Sequence, residues 1–419
     1  MPGVTLPLEG LRVLEYAQYV AGPFAGMLLA DLGADVIKVE SPTGDAWRHY
    51  EPFDAGESRY FYALNRNKRS IVLDLKTEAG LRASRALLAR ADAVLHNFPP
   101  DRAARYGLDR ESVRAVNPGA AWCMVSALGS DGPEAELTAF DLVAQALSGL
   151  LLADARPGDE IPRRAGGIAM ADFTAGLLAA ISLLAGLVGR RGDGGAAPGV
   201  EVSLLGAGLA VQAQRFVSVE ALDGDGRRAR VAGRQLATAG DLAAHGARTQ
   251  ASEELEPYYR AYRAADGFFV LTCLNEAQRR TTLHLLGLED PFVADPQAPP
   301  ASESERAARV RLVRRFESIV EREPAAHWIR RLRAAGVPAA QVRTLDQLYE
   351  DPQALANGLV QEVPAPAGDT VRLLGSVFKV DGAPAGARRG VPALGEHTAE
   401  VLASLGGQIL QSSKPESGA

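Results

Sequence analysis

The sequence predicts an α/β protein whose first 200 residues build an open parallel sheet, followed by a smaller unit of strands and helices. Two observations carry this. From residue 11 to about 203, short apolar runs of strand length alternate with helical patterns, the order that gives parallel strands joined by right-handed crossovers. Residues 223–250 are then rich in Arg, Gly and Ala without clear period, and a fresh strand-and-helix series opens at Gly267.

Leu11 to Ala17 reads as a buried strand, followed by a Gly22-Pro23 turn, a helix over Phe24–Leu32 closed by Gly33, and a second strand over Asp35–Glu40. Ser70–Leu75 is the third strand, Glu78–Arg90 an amphipathic helix, Ala93–Asn97 and Ala121–Ser126 further strands. The longest apolar run, Phe173–Val188, reads as a buried core helix and falls short of the roughly 20 residues a bilayer crossing requires. A Gly/Ala/Pro loop over Gly192–Gly199 leads to a strand at Val200–Ser203. In the smaller unit, Phe268–Thr272 is a strand, with helices over Glu276–Leu286, Glu303–Val320 and Ala325–Ala335; Pro296, Pro299 and Pro300 mark a loop between the first two. Val363–Val380 reads as a hairpin or strand pair and Thr398–Leu405 as a last helix before a polar tail after Gly407.

Composition is that of an ordinary globular chain: 419 residues, 47% hydrophobic and 23% charged. The net charge of −6 argues against nucleic acid or an anionic membrane as the main partner. No basic, apolar leader opens the chain, and Cys123 and Cys273 have no metal or disulfide spacing, so the expectation is a cytoplasmic protein with two buried thiols and no metal. Only five lysines are present, and three of them (Lys38, Lys68 and Lys76) fall in one N-terminal stretch.

The first unit imitates a dinucleotide site, with an acid at Glu40, 18 residues after Gly22. The fingerprint G-x-G-x-x-G lets backbone approach a pyrophosphate. Here the segment is Ala21-Gly22-Pro23-Phe24-Ala25-Gly26, and Phe24 in place of the second glycine is expected to crowd a phosphate. No Walker loop, zincin helix or nucleophile-elbow serine occurs.

Asp172 opens the long apolar helix. On residue type alone, an acid there serves helix capping and the dipole as readily as chemistry. The wider pattern is more specific: Ala21-Gly22-Pro23, Leu32-Gly33-Ala34-Asp35-Val36-Ile37-Lys38-Val39-Glu40, Gly44-Asp45 with Arg48, Asn65-Arg66-Asn67-Lys68-Arg69-Ser70-Ile71, Leu73-Asp74-Leu75-Lys76, Asn97-Phe98, Ala171-Asp172-Phe173-Thr174-Ala175-Gly176 and Gly395-Glu396-His397-Thr398. In this order, from about residue 8 to residue 407, the chain resembles the class III CoA-transferases, typified by formyl-CoA:oxalate and carnitine CoA-transferases. The resemblance implies a large α/β CoA-binding domain over residues 1–222, a connecting region and smaller inserted α+β domain over 223–340, a return to the large domain over 341–419, and an interlocked homodimer.

It also implies that Asp172 is the catalytic carboxylate, exchanging CoA between an acyl-CoA and a small carboxylic acid through an aspartyl anhydride and an aspartyl-CoA thioester. Leu73, Lys76, Asn97, Phe98 and Arg105 match the family's adenosine-binding positions, and the backbone of Gln18, Tyr19, Val20 and Ala21 is expected beside the CoA and the developing oxyanion. Lys68, Arg69, Lys76 and Arg105 are candidate cations for the CoA phosphates, and Tyr19, Tyr60 and Phe140 candidate walls of the acyl pocket. The chain departs from formyl-CoA transferases at Val20, where they carry glutamine, and shows no tetraglycine loop between residues 223 and 267, which puts formyl/oxalate specificity in doubt. Two alternatives share the fold: a CoA-binding protein without catalysis, and an α-methylacyl-CoA racemase. The racemases carry Gly-His-Asp where this chain has Ala139-Phe140-Asp141, and Phe140 cannot move a proton.

Overall fold

Six short strands, β1 (Arg12–Tyr16), β2 (Asp35–Glu40), β3 (Arg69–Val72), β4 (Ala93–His96), β5 (Ala121–Ser126) and β6 (Gly199–Ser203), pair in the order β3-β2-β1-β4-β5-β6 in the computed structural model. Every pairing is parallel. The central strands are buried on both faces because helices cover both, as the near-continuous burial of Val13, Leu14, Val36, Ile37, Val94 and Leu95 records, with Glu15 and Lys38 as buried charges among them. The structure describes residues 5–54, 57–156, 158–190, 196–221, 240–243, 245, 255–298, 300–364 and 370–406.

One face is covered by helix α1 (Ala21–Asp31) and by a later helix over Met170–Gly189, through Ala25, Leu28, Ala175, Ala179 and Leu183. The other is covered by α2 (Glu78–Leu88) with the segment 398–404, through Leu87, Leu88 and Val401. A short helix, α3 (Asp141–Leu147), precedes the long α4 (Met170–Gly189). At 20 residues, α4 is longer than the Phe173–Val188 run and is long and apolar enough to cross a membrane by length and composition. Its small residues Ala171, Ala175 and Ala179 are fully buried in the core, while Leu177, Ile181 and Val188 are exposed.

The chain divides into two compact units, one of Met1–Leu151, Arg164–Arg228 and Tyr349–Ala419, the other of Leu152–Arg163 and Ala229–Leu348. The second has a three-stranded antiparallel sheet in the order β9-β8-β7, made of β7 (Tyr259–Ala264), β8 (Gly267–Thr272) and β9 (Ala339–Gln341). Its core joins Tyr262, Phe269, Phe316 and Trp328. Strand β7 lies ahead of Gly267, so the unit's sheet starts earlier than the sequence suggests. Val360–Pro364 and Thr370–Leu374 pair antiparallel, so the strand pair expected over Val363–Val380 begins three residues earlier and ends at Leu374, while Lys379–Val380 pairs with Ala383–Pro384. Most of the 223–250 connecting region, part of the 192–199 loop and the tail from residue 407 lie outside the described residues.

Candidate active site

In a doubly wound sheet, ligands bind beyond the carboxyl ends of the strands where the winding reverses. Here that point lies between β1, which leads to β2 on one side, and β4, which leads to β5 on the other. The residues just past these two strand ends clasp each other: the Gln18 N–H donates to Asn97 Oδ1 at 3.1 Å, and Asn97 Nδ2 donates to the Gln18 carbonyl at 2.8 Å.

The next residue, Tyr19, has φ +69°, a left-handed conformation unfavourable for a side chain of its size. Its N–H is held by Asp45 Oδ1 at 3.2 Å, which also accepts the Trp47 N–H at 3.0 Å. Asp45 is anchored in turn. Lys38 Nζ lies 2.8 Å from Asp45 Oδ2, 2.9 Å from Glu15 Oε1 and 2.7 Å from the Ala17 carbonyl. Lys68 Nζ takes the other Glu15 oxygen at 2.8 Å and donates to Pro23 O and Asn65 Oδ1. These side chains are buried, so each charge is held by its neighbours rather than by water. Burial alone would lower the Lys38 pKa, but the Asp45, Glu15 and Glu40 carboxylates hold it above its ordinary value; burial, opposed by Glu15, brings Lys68 down to about 8.

Two glycines make room for this arrangement. A Cβ at Gly22 would overlap Ala17, and one at Gly26 would overlap the Glu15 carboxylate. The glycines of the apparent dinucleotide motif therefore serve close helix–strand packing and a buried acid. Helix α1 already begins at Ala21, and the expected Gly22-Pro23 turn is its first turn, where proline's missing N–H costs nothing. Phe24 does not crowd a phosphate position; its ring packs edge-on against Phe173, 5.0 Å between centroids.

Above the clasp lies a cavity of about 350 Å³ lined by Gln18, Tyr19, Val20, Ala21, Asn97, Phe98, Phe140 and Asp172, with Arg102, Glu136 and Ser126 among others. The first eight are all candidate site residues of the sequence, but Asn97 and Phe98, expected at the adenosine end of CoA, line the same cavity as Asp172. A second cavity of about 160 Å³ contains Leu73 and Lys76 and shares Gln18, Phe98 and Arg102 with the first. Arg105 and Tyr60 line neither. Arg105 is exposed and 3.8 Å from Asp101. Tyr60 packs on Trp47, which packs on Tyr19, leaving it two rings away. Lys68 and Arg69 are corrected as phosphate ligands: Lys68 is sealed on Glu15, and Arg69 pairs with Asp35 and Glu400. Arg102, bordering both cavities with its guanidinium 6.0 Å from the Phe98 ring, went unread in the sequence because a basic residue on a short helix is ordinarily a solvated one.

Asp172 sits in the first turn of α4. Gly176, one turn on, admits the Ala21 carbonyl and Phe24, where a Cβ would come within 2.7 Å of that oxygen, and so brings α4 against the start of α1. Burial pushes the Asp172 carboxyl up from its ordinary 3.8 to about 7; the Asp141 carboxylate adds to the rise and Arg164 opposes it. No described residue donates a hydrogen bond to this carboxylate. The residue preceding the helix, Ala169, provides no cap, and Asp141 supplies one from α3: its Oδ1 accepts the N–H of Ala171 at 3.0 Å and of Asp172 at 3.3 Å. Asp141 was not among the residues expected from sequence, since a cap 31 positions away leaves no local signal.

The arrangement is a proton-hungry carboxylate on the wall of a cavity, beside the N-terminal N–H groups of α1, with no cluster of three or more His, Cys, Asp or Glu suited to a metal among the described residues. Over 97% of its length the chain is 33% identical to succinate–glutarate CoA-transferase of Agrobacterium fabrum, covering 97% of that protein. It is 30% identical to human succinyl-CoA:glutarate CoA-transferase, covering 94% of this chain and 85% of that one. Among solved structures, a CAIB/BAIF family protein from Brucella suis matches 96% of this chain and 100% of its own, with TM-score 0.73 and 31% identity. Rv3272 of Mycobacterium tuberculosis matches 95% and 99%, with TM-score 0.73 and 27% identity. The sequence model described as CoA-transferase family III matches residues 8–398, and this chain belongs to that family of CoA-transferring enzymes.

Proposed function

We propose that the protein transfers CoA from an acyl-CoA to a small carboxylic acid with Asp172 as covalent carrier. The observation that carries the reading is the Asp172 carboxylate itself: it faces the cavity, takes no hydrogen bond from a described residue, and is held at raised basicity. Asp172 attacks the thioester carbonyl; the C–S bond breaks, leaving an acyl-aspartyl anhydride and CoA thiolate. The thiolate attacks the aspartyl carbonyl, expelling the donor acid and forming an aspartyl-CoA thioester. The acceptor carboxylate attacks that thioester, and the released thiolate then takes the acceptor acyl group, restoring Asp172. Each tetrahedral oxyanion needs nearby donors. Ala21, whose N–H opens α1 and so has no partner within the helix, borders the same cavity.

The adjoining cavity with Leu73, Lys76 and Arg102 suits the adenosine and phosphate end of CoA, and Phe98 with Gln18 spans from there to Asp172. None of the six histidines lines the cavity that contains Asp172, which weighs against racemase chemistry requiring a second base. Relatives named for succinate, glutarate and oxalate support small organic acids as substrates. We further read the enzyme as a cytoplasmic homodimer that uses no membrane. The exposed apolar face of α4 (Leu177, Ile181, Val188) supports cover by a second copy, and two free, buried thiols suit a reducing compartment.

The test is a donor–acceptor screen with acetyl-, succinyl- and formyl-CoA against a panel of acids, repeated with Asp172→Ala, and hydroxylamine trapping of the acylated aspartate. Acyl-CoA should yield free thiol and an Asp172 hydroxamate. Transfer that survives Asp172→Ala would overturn the mechanism; Cα–H exchange in deuterium oxide without transfer would make the enzyme a racemase.

A further inference from the structure

An aspartate in the first turn of a helix normally has its anion stabilised by the unpaired N–H groups there and by the positive end of the helix dipole. Asp172 occupies that place in α4 without the hydrogen-bond part of that support, because the Ala171 and Asp172 N–H groups are directed onto a second carboxylate, Asp141. Asp141 is buried, and its other oxygen accepts from Gln145 Nε2 at 2.8 Å and lies 3.7 Å from Arg164 Nε. Gln145 also donates to the Ile168 carbonyl and accepts the Ala165 N–H, both at 3.0 Å, so the strap that leads into α4 hangs from α3 by this pair of side chains.

We propose that Asp141 is a positioning residue for Asp172: by taking the first N–H groups of α4 onto its own carboxylate, it fixes the helix start and withholds from Asp172 the stabilisation that would make it a poor nucleophile. The inference rests on the reading of Asp172 as nucleophile. The ionisable groups acting on Asp172 are Asp141, which raises its pKa, and Arg164, which lowers it; Arg102 and Glu136 line the same cavity. A carboxylate that stays basic attacks a thioester faster than one relaxed into a helix end, and a carboxylate fixed by a neighbouring element presents its oxygens in one place.

Two substitutions move Asp172 in opposite directions. Asp141→Asn keeps an oxygen that can cap α4 and removes the charge; Arg164→Gln, at an exposed side chain, removes the opposing cation. The pH dependence of carbodiimide labelling of Asp172, read by peptide mass spectrometry, reports its titration without needing turnover. Asp141→Asn should move the midpoint down by about one pH unit and Arg164→Gln should move it up by a smaller step. In single-turnover hydroxylamine trapping at pH 8, Asp141→Asn should slow Asp172 adduct formation by up to about tenfold while acyl-CoA affinity stays within about twofold. Midpoints that coincide with wild type in both variants would overturn the proposal. If Asp141→Asn does not fold, the upward shift in Arg164→Gln supports it and an unmoved midpoint refutes it. Shifted midpoints with no acyl-CoA-dependent adduct in wild type would instead remove the transferase reading while leaving the charge relation between the two carboxylates intact.

Discussion

Replacing Asp172 by asparagine should make the protein more stable above neutral pH. The folded structure holds this carboxyl near 7 whereas an exposed aspartate titrates near 3.8, so the folded state binds the proton more tightly than the unfolded one. For an acid with a raised folded pKa, stability is lost as pH rises from the unfolded value through the folded one, and the penalty is complete above about pH 7. A shift of about three units at about 1.36 kcal/mol each sets an upper limit near 4 kcal/mol. Solvent entering the cavity screens the charge, and about 2 kcal/mol is the working expectation. For a chain of 419 residues that corresponds to a rise in Tm of roughly 2–3 °C at pH 8. Scanning calorimetry of the two proteins between pH 4 and pH 8 tests it. The gap should be full at pH 8 and nearly close as pH falls toward 4, where Asp172 is neutral in the folded state and the unfolded carboxyl is itself close to its midpoint. Equal Tm values at pH 8, or a gap that persists unchanged at pH 4, would refute the reasoning.

Gly26→Ala should cost about 3 kcal/mol in a urea titration, because the new Cβ overlaps a Glu15 carboxylate that Lys38 and Lys68 hold from both sides. Arg102→Ala should raise the KM for acyl-CoA about tenfold, the scale of one lost charged contact to a phosphate, whereas Arg105→Ala should change it less than about threefold. Steady-state kinetics at fixed ionic strength separates the two, and the reverse ranking would relocate the phosphates to the Asp101–Arg105 side.

Where local pattern and packing agree, the elements stand in the sequence: Asp35–Glu40, Ala121–Ser126, Glu276–Leu286 and Glu303–Val320 begin and end where apolar period and capping residues place them. Strand Tyr259–Ala264 escaped because Arg260 and Arg263 interrupt its apolar residues, and only its pairing with Gly267–Thr272 defines it. The cavity residues Gln18–Ala21, Asn97, Phe98 and Asp172 were legible through the combined motif pattern and follow from the strand ends where the winding reverses. The fates of the cations were not. Sequence cannot tell Lys68, committed to an acid on β1, from Lys76, exposed beside a cavity, because long-range pairing decides it. Asp141 was hidden for the same reason.

The sealed ions beneath Tyr19 divide the cavity into a wall that can change and one that cannot. On the Gln18–Ala21 side, altering any one of Glu15, Lys38, Asp45 or Lys68 strands a charge that has no route to water, so substitutions there should surface as misfolded protein before they surface as new chemistry. The segment Glu136–Phe140 lines the same cavity with largely exposed residues, and apart from Phe140, whose ring packs edge-on against Tyr19, they are free to vary in size and polarity. Acid preference in this enzyme should therefore be rewritten through that segment, and libraries aimed at new acceptors belong there.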